Sequence, residues 1–307
     1  PRPAPADSPG DRERRLREVF AQVLGLDEVG GDEDFFVLGG DSILSMSVAA
    51  RARKAGLTVT PRAVFEHRTP AALAAALTPT GVAQDAPETA ADSDGVGDLP
   101  LLPIVHQLRE DGGPIGRFNL SMLLRSPAGA DLASLAGALQ AVVDHHDGLR
   151  PVLSRMDLGP ALPALWSAVI RPPGAVDSAG LSRRVDARGL DGAALRALVA
   201  EESDAAASRL DPDAGTVLQA VWFDAGAGTP GRLLLVVHHL AVDGVSWRVL
   251  LGDLAVAWEA VARGGRPVLE PVPTSLRRFA REVVEKATSP PRQAELPYWG
   301  GVLAPGA

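Results

Sequence analysis

Two short stretches of the chain carry side chains whose types and spacing suit chemistry. In LGGDSIL a hydroxyl sits where a loop gives way to a helical pattern. Gly39 and Gly40 permit a sharp turn, and Asp41 has the side chain of a helix N-cap. Ser42 then falls in the first helical turn, near the positive end of the helix dipole. A phosphodiester on that hydroxyl would be favoured electrostatically. The same four letters, Gly-Gly-Asp-Ser, also make an ordinary glycine turn with a cap, and on their own they do not choose.

The second stretch, HHLAVDG, follows the apolar run RLLLVV. Adjacent side chains of a strand face opposite ways, so His238 and His239 are expected to diverge. One should enter a cavity and the other pack or pair. Asp243 and Gly244 read as a turn before a helix that begins near Val245. A carboxylate there either closes the turn or meets an arginine. A neutral imidazole near physiological pH is a suitable general base. A histidine in an apolar strand is also, in general, a satisfied core residue.

Other residues compete for notice. His145 and His146 raise a metal question together with His238 and His239. No HExxH spacing exists, and adjacent positions on the helix expected at 130–150 do not face each other. The expectation is therefore no metal site, with this pair on a helix surface or in packing. Arg150 is expected either to orient the aspartate or line the cavity, or to sit exposed at a helix end beside the dipole. Trp222, Trp247 and Trp258 read as core anchors. Asp186, Arg188 and Gly189 mark a turn, with no glycine-rich nucleotide loop around them.

These groups need elements to hold them, and 307 residues are enough for about two domains. From 78 to 98 the run TPTGVAQDAPETAADSDGVGD holds five acidic residues and no basic one, a composition that favours an extended tether over a packed core. The division expected is a small domain at 1–78, a linker at 79–98 and a larger domain at 99–307. In the small domain Leu16, Val19, Phe20, Val23 and Leu24 form a helical stripe. SILSMSVAARARKAG, PRAVFEH and TPAALAAAL make up three more helices, the last with Thr69 as N-cap and Pro70 at its first position. In the larger domain FNLSMLLRS, TVLQAVWFDAG and RLLLVVHHL read as strands. ADLASLAGALQAVVDHHDGLR and VSWRVLLGDLAVAWEAVARGG read as helices. The fold class expected is α plus α/β: a four-helix bundle linked to an α/β lobe.

Composition removes several function classes. A net charge of −8 without a Lys/Arg-rich run argues against nucleic-acid binding. The absence of cysteine excludes disulfides, thiol nucleophiles and thiolate zinc sites. No apolar run approaches the length needed to span a bilayer, and no signal pattern is evident, so a cytoplasmic location without membrane contact is expected. The sequence reads as a piece of a longer chain.

From about Arg12 to Leu77 the order helix, long loop ending FFVLGGDSI, helix, short turn, helix resembles the peptidyl carrier domains of nonribosomal peptide synthetases. The resemblance implies that Ser42 carries a 4′-phosphopantetheine arm attached by a phosphopantetheinyl transferase, with Asp41 beside it. Asp before the serine is similar to carriers that feed epimerization domains. HHLAVDG resembles the HHxxxDG signature of the chloramphenicol-acetyltransferase-like superfamily, which includes condensation and epimerization domains. The resemblance implies that His239 is catalytic, with Asp243 and His238 in structural support. LPLLPIVHQLRE, GGPIGRFNLSMLL, VVDHHDGLR and above all DGVSW look like epimerization-domain sequence. Gln107 departs from it, standing where the opening motif usually has Trp.

The same resemblance implies an aminoacyl or peptidyl thioester held on Ser42 and inverted from L to D at its α-carbon. A thioester acidifies that carbon, and an imidazole could take the proton. Adenylation and condensation domains of the same assembly line are the implied partners. The resemblance covers about Leu99 to Trp299 and only the first of the family's two lobes; the glutamate that completes the family's racemising pair belongs to the second. Two alternatives stay open. The same histidine could assist amide formation in a condensation domain, or the chain could be a carrier with a non-catalytic docking half-domain, so whether it is an enzyme by itself stays open too.

Overall fold

A computed structural model describes residues 9–77, 95–156 and 164–304. The chain forms two compact units, Pro1–Glu88 and Thr89–Ala307. Residues 78–94 of the expected tether lie outside the described residues.

The first unit is helical: α1 (Pro9–Leu24), α2 (Ser42–Lys54), α3 (Pro61–His67) and α4 (Pro70–Ala76). The apolar stripe of α1 does what its spacing demands, with Leu16, Val19 and Phe20 buried and Val23 and Leu24 packed beside them. Thr60 and Thr69 cap α3 and α4, accepting from the amides of Ala63 and Ala72, and each helix opens on proline.

The loop between α1 and α2 has little regular structure, yet it is tightly tied. Phe35 is buried edge-on against Phe20, with ring centroids 5.0 Å apart. Its amide donates to the Arg68 carbonyl at 2.8 Å. Arg68, left-handed at φ 55°, pairs with Asp34 at 2.7 Å and lies over the Phe36 ring. The α3–α4 junction thus fastens the loop that leads into α2. Gly39, at φ 98°, makes the turn. Gly40 passes so close to Phe35 that a Cβ would fall against its ring and 2.5 Å from its carbonyl oxygen.

Gly40→Ala should therefore destabilise this unit by about 1–3 kcal/mol, through forced displacement of a buried aromatic ring. Chemical denaturation followed on the helical unit checks it, and an unchanged midpoint would refute the close approach.

The second unit runs β1 (Gly97–Leu99), α5 (Pro103–Asp111), β2 (Asn119–Arg125), α6 (Leu132–His145), β3 (Pro151–Met156), β4 (Leu165–Ile170), β5 (Ser182–Asp186), α7 (Gly192–Ser208), β6 (Leu218–Asp224), β7 (Arg232–His238), α8 (Ser246–Ala262) and α9 (Leu276–Ala287). The main sheet has strand order β2-β7-β6-β5, antiparallel except for the parallel β5–β6 pair. A smaller antiparallel sheet has order β1-β4-β3. Gly97 and Asp98, assigned to the linker on composition, pair with Ile170 and Val169 of β4. They belong to this fold, because backbone pairing takes no account of a side chain's charge.

Strands β6 and β7 are buried almost throughout and mostly apolar because both faces of the main sheet are covered. Leu233, Leu235 and Val237 pack with α6 and α8, while Leu234 and Val236 pack with Ala206 and Ala207 of α7. Trp222 and Trp247 are buried in the first of these cores, and Trp258 packs against it. Trp222 also donates its indole N–H to Ser126 Oγ at 3.2 Å. Asp186 and Arg188 form the expected turn, the carboxylate accepting from the Arg188 amide at 3.1 Å. The architecture is α plus α/β, a helical bundle and a mixed-sheet lobe.

Candidate active site

In the first unit, Ser42 is the first residue of α2. Asp41 accepts from the Leu44 amide at 2.7 Å, so it caps the helix as its position suggests. The Asp41 carbonyl receives the Ser45 amide at 3.0 Å. Ser45 itself is buried.

In the second unit, β7 ends on His238 and delivers the histidine pair to the sheet's end. His238 is fully buried, and its polar contacts are all with backbone. Nε2 lies 2.9 Å from the Ile115 carbonyl, which can only accept, so Nε2 carries the proton. Nδ1 then accepts from the Leu240 amide at 3.2 Å. Burial pushes the imidazole below its usual value, against the opposing pull of the Ile115 carbonyl.

A depressed value in the folded state means that the unfolded chain binds more protons as the pH falls. Stability from His238 is full above the ordinary imidazole range and is lost as the pH falls from about 6.5. His238→Asn should flatten the pH dependence of this unit's melting temperature between about pH 6.5 and 5, a range above most carboxylate titrations. Parallel curves for the two proteins would refute this role.

His239 lies one residue beyond the strand and is half-buried. Its amide donates to the Phe118 carbonyl at 2.8 Å, and its ring stacks on the Phe118 ring at 4.7 Å with 19° between planes. Nδ1 is 2.7 Å from the Val242 carbonyl. That carbonyl can only accept, so Nδ1 donates its N–H to it, and in the neutral ring Nε2 is then the nitrogen with the lone pair a general base requires. Nothing in the sequence marks Phe118, which reads there only as the start of an apolar strand.

Asp243 closes the turn rather than meeting an arginine. Its Oδ1 accepts from the amides of Val245 and Ser246, at 3.0 and 2.8 Å, and from Ser246 Oγ at 2.7 Å. Ser246 Oγ in return accepts from the Asp243 amide at 3.0 Å. Partial burial would raise this carboxyl, but the Ser246 and Val245 donors outweigh it and hold it below the usual carboxylate range. The carboxylate fixes the start of α8 and, with it, the backbone that carries Val242 and His239.

Arg150 is buried, neither exposed nor aimed at the aspartate. Its Nη1 donates to the carbonyls of Val143 and Asp144 at 2.6 and 2.8 Å, and Nε donates to the Arg171 carbonyl at 2.9 Å. It satisfies the last turn of α6, whose carbonyls have no helical partners. His145 and His146 also differ from expectation. Helix α6 stops at His145, and His146 is extended. Helical spacing does not apply across that boundary, and the two rings meet edge to face at 4.9 Å. A cavity of about 340 Å³ opens between this turn and the HHLAVDG turn, lined by His146, Gly148, Ala241, Ser246, Leu276 and Phe279 among others.

Comparison with known proteins places both units. The family described as the phosphopantetheine attachment site matches residues 14–77, and the condensation domain family matches residues 115–306. The chain belongs to the condensation-domain family. It is a nonribosomal peptide synthetase carrier followed by a condensation-family domain.

The chain is 36% identical over 295 residues to one of the linear gramicidin synthase subunits of Brevibacillus parabrevis, covering 94% of this chain and 4% of that protein. It is 31% identical over 294 residues to one of the plipastatin synthase subunits of Bacillus subtilis (strain 168), covering 94% and 8%. It therefore spans a small part of these relatives. Among solved structures, the epimerization domain from the third module of tyrocidine synthetase B is similar to the condensation-family domain. That match has 26% identity and a TM-score of 0.58 over 69% of this chain and 46% of that one. The starter condensation domain of rhizomide synthetase shares the fold, at 16% identity and a TM-score of 0.52 over 66% of this chain and 47% of that one. The carrier domain implies a covalent 4′-phosphopantetheine. Among the described residues, no helix is long and apolar enough to cross a membrane.

Proposed function

We propose that the chain presents an aminoacyl or peptidyl thioester on Ser42 to an epimerization site in which His239 is the base. The observation that carries this reading is the placement of His239: Nδ1–H donates to the Val242 carbonyl, so Nε2 is the nitrogen the neutral ring would offer as a base, with the ring stacked on Phe118. The likeness to the epimerization domain of tyrocidine synthetase B and the sequence DGVSW favour epimerization over amide formation.

Ser42 would hold the arm, with Asp41 fixing the helix start beneath it. The arm supplies a thioester that acidifies the α-carbon. His239 Nε2 takes the proton there and holds it as an imidazolium. Phe118 keeps the ring in plane by stacking, and the Val242 carbonyl stabilises the charged ring through Nδ1–H. Asp243 and His238 hold the turn and the strand end without contacting substrate. A phosphopantetheinyl transferase would install the arm, and adenylation and condensation domains would supply and receive the thioester in the cytoplasm.

The test uses the whole chain, loaded on Ser42 with an L-aminoacyl pantetheine, in D₂O and with no acceptor carrier present. Gain of one deuterium at the α-carbon supports the base role, because epimerization needs a single carrier. Amide formation only after an acceptor carrier is added, with no exchange before it, would assign condensation instead. Loading with neither outcome would make the second unit a docking surface.

A further inference from the structure

We infer that His145, His146 and Asp253 form a site for one divalent cation of the zinc type, separate from the HHLAVDG turn. One ring nitrogen from each histidine and one carboxylate oxygen lie within 4.8 Å of one another. Two pieces of chain converge to produce this: the end of α6, which carries His145 as its last residue and His146 in extended backbone just after it, and the middle of α8. Two imidazoles and a carboxylate are a donor set suited to zinc, copper or nickel, and the chain has no thiol to divert such an ion.

Three further features fit. His145 Nε2 lies 2.7 Å from the Glu270 carbonyl. Histidines that bind metals usually give their other N–H to such an acceptor, which fixes the tautomer and leaves the remaining nitrogen for the ion. His146 Nε2 and Asp253 Oδ2 are 2.7 Å apart, held by a proton that a cation would replace with a modest opening of the pair. All three residues are half-buried, and His146 lines the 340 Å³ cavity, which gives an ion a path in.

The experiment is a titration of the tag-free, chelator-treated full chain with Zn²⁺ by calorimetry, and with Co²⁺ by visible absorption. One ion per chain is expected, with the stronger visible bands of a four-coordinate cobalt site. His146→Gln and Asp253→Asn should each abolish uptake, whereas His239→Ala should retain it. Asp253→Asn keeps an acceptor for His146, so its circular dichroism and melting curve should match the parent. No saturable uptake by the parent chain, uptake that survives both substitutions, or uptake that depends on His239 would each overturn the site.

Discussion

The His239→Ala chain, loaded with an L-aminoacyl arm and placed in D₂O, should exchange its α-proton about 10²–10⁴-fold more slowly than the parent. The size reflects what the side chain supplies. Nε2 is the imidazole nitrogen that the HHLAVDG turn leaves for substrate, because Nδ1–H is held by the Val242 carbonyl and the His238 ring is sealed in the core. The substitution removes that base and the Nδ1–H bond to Val242, while the turn keeps its other ties: Asp243 and Ser246 bond to each other, and Asp243 accepts from the amides at 245 and 246. Added imidazole should restore part of the rate in the alanine variant, an effect that a merely destabilised fold would not show. Equal exchange rates in parent and variant would sink the base role.

Ser42→Ala should abolish attachment altogether. Incubated with coenzyme A and a phosphopantetheinyl transferase, the parent should gain the mass of one arm and the variant none. The loss should come without unfolding, since the α2 cap is supplied by Asp41 and the loop before it is fastened by Arg68, Asp34 and Phe35. The nearby Ser45 cannot substitute, being buried inside the bundle. A variant that still takes up the arm would place the attachment elsewhere.

Much of this is legible in the sequence wherever one residue type can do only one thing locally. Thr before Pro announces two helix starts, an apolar stripe announces α1, and an unbroken apolar run announces β7. Elements held by partners distant in the chain are harder to read. Strand β5 reads SRRVD, polar and short, and is a strand because β6 lies parallel to it. The stacking of Phe118 on His239 joins residues far apart in sequence, and nothing in GRFNLS marks it. The His145–His146 contact escapes for the opposite reason. A helical pattern extended past the true end to Arg150 sets the two rings apart, whereas the real chain leaves the helix between them. Arg150 stands at a helix end in sequence, but it is buried where its guanidinium also meets the Arg171 carbonyl, just past β4.

The bond from His239 Nδ1 to the Val242 carbonyl has a stereochemical consequence. A base with one working nitrogen reaches one face of a planar carbanion, and any deuteron it returns goes back to the face it left. His239 acting by itself therefore labels the α-carbon with retention: deuterium enters and the product stays L. Inversion requires a second proton donor on the far side. Chiral analysis of the labelled residue thus separates two quantities that mass alone merges, namely how often the proton leaves and how often it comes back from the other direction.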